Sequence, residues 1–184
     1  MRVISGQAKG RRLKSVPGDT TRPITDRAKT SLFNILRYDI VDSRFLDLFA
    51  GTGQVGIEAL SWGAEQAVFV ERARPACAVI HENLAHTDLA GRAQVEQADV
   101  FEFLRRPPQP YDYIYIAPPQ YHDLWSKTLL MVDANTDWLM DDGWVVVQID
   151  PSEFRDLDLQ SLILFDQRTY GGVMLCFYGI PEED

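Results

Sequence analysis

The chain has 184 residues with a net charge of −9, enough for one sizeable domain and too short for two comfortable ones. Its apolar and charged fractions, 46% and 24%, are those of an ordinary soluble globule. No run approaches the ~18 apolar residues of a membrane helix, and the start, M-R-V-I-S-G-Q, has no signal or transit pattern. A cytoplasmic protein outside the membrane is therefore expected. Cys77 and Cys176 lie far apart without a C-x-x-C or paired histidines, which predicts reduced core thiols and no metal site.

The charge is unevenly spread. Residues 1–37 carry nine basic side chains against Asp19 and Asp26, a net of +7, which leaves −16 for the remainder. A basic segment on an acidic body is a phosphate-binding footprint, or else a solvated charged face. The reading divides the chain into a basic hairpin-and-helix arm, 1–37, and an α/β domain, 38–184. Val3 to Gly6 and Arg11 to Lys14 read as two short strands joined through Gly6 to Gly10, a hairpin that must dock to be stable. Pro17-Gly18-Asp19 is a turn. Thr25 or Asp26 caps a helix over 26–37, whose apolar face is Ala28, Leu32, Phe33, Ile35 and Leu36.

From Phe45 the rhythm is strand, turn, helix. The predicted strands are 44–49, 67–70, 93–97, 111–116 and 145–149. The helices between them are 55–62, 74–84, 100–104 and 122–140. Ile163 to Tyr170 and Val173 to Tyr178, joined by Gly171-Gly172, are expected to be antiparallel. Alternating strands and helices predict a doubly wound α/β fold with a mostly parallel sheet, in which ligands bind outside the carboxyl ends of the strands.

Those ends carry the polar residues. F-L-D-L-F-A-G-T-G-Q-V-G, residues 45–56, is a strand and glycine turn opening a helix, and Gly51, Gly53 and Gly56 match the dinucleotide fingerprint, with Glu71 about 20 residues on. Asp47 sets this stretch apart. A central parallel strand is buried on both faces, so a carboxylate there needs a partner. A cofactor bearing a cation, such as S-adenosylmethionine, supplies one, whereas a pyrophosphate is repelled; the alternative is that Asp47 caps a backbone amide. Glu71 can accept from two ribose hydroxyls, and Asp99 from an adenine amine beside the Val100 amide. A nicotinamide-dependent oxidoreductase stays open on the glycines alone.

These blocks resemble those of the S-adenosylmethionine-dependent methyltransferases, and within them the bacterial small-subunit ribosomal RNA guanine-N2 methyltransferases of the RsmD type. The resemblance rests on M-R-V-I-S-G, K-G-R-R-L, T-R-P-I-T-D-R-A-K, L-D-L-F-A-G-T-G-Q-V-G-I-E-A-L-S, E-N-L at 82–84 and Y-G-G-V-M-L-C-F-Y. It implies a Rossmann-like seven-stranded sheet with a reversed last strand. It also implies methyl transfer from S-adenosylmethionine to the N2 amine of a guanine in 16S ribosomal RNA, naked or within an assembling 30S particle, by a monomer. The expected cofactor contacts are Asp47, Phe49, Gly51, Gly53, Glu71, Asp99, Val100 and Ala117. Arg2, Lys9, Arg11, Arg12, Lys14, Arg22 and Arg27 are the expected RNA contacts.

The chain departs from the family at the end of the fourth strand. The family motif resembles D-P-P-[FY], and here it is A-P-P-Q-Y, so Ala117 removes a carboxylate that would accept one amine hydrogen. Pro118, Pro119, Gln120 and Tyr121 are the expected catalytic set: the Pro118 carbonyl and the Gln120 amide oxygen hold the amine and Tyr121 stacks on the base. A methyltransferase-fold binding protein with lost or altered catalysis is the alternative. His122 is expected to be solvated, since the amine can release its proton after the methyl moves. Of the four tryptophans, Trp125 is the one expected to reach the site.

Overall fold

A computed structural model describes residues 1–18 and 23–183. Seven strands form one sheet in the order β3-β2-β1-β4-β5-β7-β6. They are β1 (Arg44–Leu48), β2 (Gln66–Glu71), β3 (Ala93–Gln97), β4 (Tyr111–Ile116), β5 (Leu139–Ile149), β6 (Ile163–Tyr170) and β7 (Val173–Gly179). The helices are α1 (Asp26–Leu36), α2 (Gln54–Ser61), α3 (Arg74–His86), α4 (Val100–Phe103) and α5 (Leu124–Ala134). β7 runs antiparallel to both of its neighbours, and the pairings among β1 to β5 are parallel. This is the Rossmann-like sheet with a reversed last strand.

The central strands are apolar on both faces because both are covered. Alternation along β1 and β4 sends Phe45, Tyr113 and Tyr115 into a core with α1, α2 and α3, and sends Leu46, Leu48, Ile114 and Ile116 into a second core with α4 and α5. The third fingerprint glycine serves the first of these. A Cβ on Gly56 would stand 2.4 Å from the buried Phe69 ring, so glycine lets α2 lie directly on β2.

Residues 1–18 and 23–37 pack into that same core through Val3, Ala8, Leu13, Ile24, Leu32 and Phe33. Their anchor is a buried ion pair. Glu58 on α2 and Lys29 on α1 are both fully buried, with 3.4 Å between Lys29 Nζ and Glu58 Oε2. Glu58 also accepts from the backbone amides of Ile4 and Ser5 and from Trp62 Nε1, while Lys29 donates to the Arg2 carbonyl and to Gln54 Oε1. Lys29, counted in the basic segment, is therefore unavailable to a phosphate.

Three expectations are corrected. The N-terminal hairpin is a single antiparallel bridge, Arg2 with Arg12, because the amides of Ile4, Ser5 and Ala8 bond to Glu58 and Ser61 on α2 instead of to a partner strand. The helix expected over 122–140 is confined to Leu124–Ala134: Tyr121 and Asp123 take positive φ before it, and Asn135 leaves helical geometry after it to cap a short 3-10 turn at Thr136–Trp138. β5 then begins at Leu139, six residues earlier than expected, with an irregularity in its pairing to β4 between Tyr111 and Tyr113.

Removing one partner of a buried, hydrogen-bonded ion pair leaves the other charge uncompensated, at a cost of about 3–5 kcal/mol. Lys29→Met is expected to lower unfolding free energy by that order in urea titrations followed by tryptophan fluorescence. A loss below about 1 kcal/mol would show that the pair does not anchor the segment.

Candidate active site

The carboxyl ends of β1, β2 and β4 open onto one cavity of about 580 Å³, which Asp99 beyond β3 and Gln148 near the end of β5 also line. Of the expected cofactor contacts, Asp47, Phe49, Gly51, Glu71, Asp99, Val100 and Ala117 line it, as do Pro118, Pro119 and Gln120 of the expected catalytic set. Gly53 stands just behind the wall: it is the left-handed N-cap of α2, and its Cα faces the Ile80 and Phe69 side chains. The remaining wall is N-terminal, from Met1, Ser15 to Gly18, Pro23 and Ile24.

The turn after β1 is held in a tight conformation. Phe49, Gly51 and Gly53 have φ of 60°, 58° and 78°, and the phenylalanine adopts a region that L-residues enter only when their surroundings impose it. Glu71 helps to impose it. One carboxylate oxygen accepts from the Gly51 amide and the other from the Ala73 amide, each at 2.9 Å, so the end of β2 ties the glycine turn to the start of α3. Asn83, buried on α3, is a second tie. It accepts from the Lys14 amide and donates to the carbonyls of Lys14 and Thr52, which fixes the N-terminal wall against the turn.

Asp47 is 2% exposed and accepts from the Gly56 amide at 3.1 Å, so the amide-capping alternative is realised on one oxygen. It has no cationic partner among the described residues, and burial, followed by the nearby charge of Glu71, pushes its carboxyl well above the usual range. Asp99 caps α4 through one oxygen, which accepts from Phe101 and Glu102, leaving the other oxygen and the Val100 amide without partners among the described residues.

At the far side, Tyr115 donates its hydroxyl to Gln148 Oε1, and both line the cavity. Burial, with the charge of Asp47, keeps that phenol protonated. Tyr121 lies one residue beyond the wall, 67% exposed at φ 66°. Its amide bonds to Glu153 at 2.7 Å and its hydroxyl to Asp150 at 3.2 Å. Trp125 does not reach the site: it is buried against Phe154 in the second core, because the positive φ at Asp123 turns α5 inward before it. His122, His81 and His86 are exposed, and Cys77 and Cys176 are buried free thiols.

The expected RNA contacts separate into two groups. Arg2, Arg11 and Lys14 each meet a carboxylate, those of Asp26, Asp88 and Glu82. Lys9 and Arg12 are exposed without partners among the described residues, and Arg27 stands over the Tyr170 ring at 5.9 Å. Arg22 lies outside the described residues. Glu58, Asn83, Tyr115 and Gln148 escaped the sequence reading. An isolated carboxylate in the apolar helix G-I-E-A-L was the available signal for the first, and a polar side chain at a strand end was the signal for the last two.

The family model described as Conserved hypothetical protein 95 matches residues 1–179. The Bacillus subtilis protein YlbH is 37% identical over 97% of this chain and 98% of its own length. Ribosomal RNA small subunit methyltransferase D of Escherichia coli K12 is 36% identical over 80% of this chain and 74% of its own length. The solved structure of Escherichia coli yhhF, 32% identical, superposes with a TM-score of 0.87 over 98% of this chain and 97% of its own. On these matches the chain belongs to the Conserved hypothetical protein 95 family, the RsmD-type family that its sequence blocks resemble.

Proposed function

We propose that the protein transfers a methyl group from S-adenosylmethionine to the exocyclic N2 amine of a guanine in small-subunit ribosomal RNA. The observation that carries this reading is the convergence of Asp47, Glu71, Asp99 and Ala117 to Gln120 on one cavity. The donor set fits the cofactor. Asp47, buried without a cation, would hold its amino group; Glu71 keeps an unused acceptor position on each oxygen for ribose hydroxyls; Asp99 and the Val100 amide would take the adenine edge. The cofactor supplies an electrophilic methyl group when bound.

The residues of this chain have the task of orienting the amine and excluding water. The Pro118 carbonyl accepts one amine hydrogen and the Gln120 amide oxygen the other, which aims the nitrogen lone pair into the cavity. Tyr121 offers its exposed ring to an extruded base, and Asp150 and Glu153 hold its backbone and hydroxyl in place. The exposed basic residues of 1–37 meet RNA phosphates while 38–184 supplies the carboxylates that hold the cofactor, and the protein acts as a cytoplasmic monomer. Ala117 supports a second reading, a cofactor- and RNA-binding protein with weak or altered chemistry.

Transfer of labelled methyl to small-subunit ribosomal RNA and to partly assembled 30S particles tests the two readings. The wild-type protein is expected to transfer, and Gln120→Ala to lose about tenfold or more in rate. Transfer by Ala117→Asp alone would favour the second reading. Lys9→Ala/Arg12→Ala is expected to weaken RNA binding, and to flatten its salt dependence, without changing cofactor affinity in calorimetry.

Asp47 links binding to pH. Its folded pKa is raised, so the apo fold is most stable with Asp47 protonated and loses that contribution as pH rises through the raised value. Cofactor binding needs the charged form. Affinity is therefore expected to fall as pH drops through that raised value, still above the ordinary carboxylate range. Asp47→Asn is expected to raise the apo Tm at neutral pH while abolishing cofactor binding. A lowered Tm with intact binding would refute the assignment.

A further inference from the structure

Gln148 and Tyr115 are not among the residues assigned above to the cofactor or the amine. The Gln148 side chain accepts the hydroxyl of Tyr115, and that is its only side-chain hydrogen bond among the described residues, so both hydrogens of its amide nitrogen are left without a partner in the cavity wall that also holds Ala117 and Pro118. Tyr115 is 2% exposed and stacked on Phe45 at 6.4 Å, so its ring cannot turn away. A free glutamine amide turns over readily and presents donor or acceptor as the ligand requires. With its oxygen turned to a buried phenol, this one is held so that its N–H donors are left for a ligand.

A fixed pair of N–H donors selects for an acceptor on the ligand at the position the donors face. RNA bases taken out of a helix are read on their hydrogen-bonding edges. Among the bases that bear an exocyclic amine, guanine and cytosine each carry a ring carbonyl on the same edge as the amine, whereas adenine carries no carbonyl, so such donors separate guanine from adenine. We infer that Gln148 discriminates guanine from a purine lacking the 6-carbonyl by donating its amide hydrogens to that carbonyl of the target guanine, and that Tyr115 is the positioning residue that keeps the amide in this orientation. The inference rests on the methyl-transfer reading and adds to it the means by which the base is chosen. A cavity wall built to donate a hydrogen bond discriminates strongly against an analogue that lacks the acceptor, because the donor is then left unpaired. The carboxylate of the cofactor is the other oxygen acceptor within the same chemistry, and the arms of the test separate the two.

The probe is a synthetic RNA hairpin containing the guanosine that the wild-type protein methylates. It is made either with guanosine at that position or with 2-aminopurine ribonucleoside, which keeps the 2-amine and lacks the 6-carbonyl. Wild type is expected to favour guanosine by about tenfold or more in kcat/KM. Gln148→Ala, and the near-isosteric Gln148→Glu, are expected to slow the guanosine reaction and bring the ratio close to one. Tyr115→Phe is expected to lower the ratio partway, and S-adenosylmethionine Kd to stay unchanged in Gln148→Ala. A merely structural role for these residues would slow both substrates equally, and an unchanged ratio in the Gln148 variants overturns the inference. Weakened cofactor affinity with an unchanged ratio also overturns it, by assigning the amide to the cofactor carboxylate. Cofactor binding without methyl transfer to any RNA would overturn the functional reading itself, and this inference with it.

Discussion

The structure depends on a carboxylate buried in the helix that follows the glycine turn. Placing Glu58 out of water costs several kcal/mol unless its charge and lone pairs are matched. They are matched by Lys29 from α1, by two backbone amides at residues 4 and 5 and by the Trp62 indole. The partners come from the N-terminal segment, from α1 and from the end of α2 itself, so one buried group brings these three into fixed register. An apolar contact of equal area would hold these elements together without fixing their relative slide. The approach is also close: a Cβ on Gly6 would stand 1.9 Å from the Ser61 carbonyl oxygen, so only glycine lets the segment lie on α2.

That register gives the cavity its N-terminal wall. Lys14 bonds at both its amide and its carbonyl to Asn83, and Asn83 in turn reaches Thr52 within the glycine turn. The segment that closes the cavity is thereby linked to the turn that forms its floor. The same chemistry recurs at Glu71, whose two oxygens join the turn to α3. The arrangement divides the carboxylates into two kinds. Glu58 and Glu71 are bound by the chain's own donors and build the site. Asp47, buried with one amide bond and no cationic partner among the described residues, carries an incomplete charge balance that a cationic ligand would complete.

Much of this was legible in the sequence, for reasons that differ by element. The order of strands and helices followed from apolar runs of strand length separated by amphipathic segments, a pattern dictated by burial of the sheet on both faces. Asp47, Glu71 and Asp99 could be singled out because a polar residue ending each successive strand is rare unless it faces a ligand. The beginning of β5 was not legible, because Leu139 joins β4 opposite Tyr111 before an irregularity in the pairing that no local pattern records. The N-terminal strands have the composition of a hairpin, yet they bond to Glu58 and Ser61, side chains more than 50 residues away. Trp125 was placed at the site by its proximity in sequence to Tyr121, but positive φ at Tyr121 itself and at Asp123 leaves one outward and turns the other inward.

The same two residues bear on the departure at Ala117. Positive φ at Tyr121 and Asp123 costs of order 1 kcal/mol each and persists only when other contacts enforce it. Here they are supplied from the end of β5: Glu153 and Asp150 take the amide and hydroxyl of Tyr121, and Arg155 pairs with both oxygens of Asp123 at 2.6 and 3.2 Å. Asp150 and Glu153 are themselves joined in a reciprocal cap of the short turn at Pro151–Glu153. The loop carrying Pro118 and Gln120 is thus shaped from outside by β5 instead of from within by a carboxylate at position 117. β5 also supplies Gln148 to the inner wall. The strand next to β4, with the turn that follows it, thus sets both the geometry of this loop and a polar face of the cavity, so two strands together shape this side of the site.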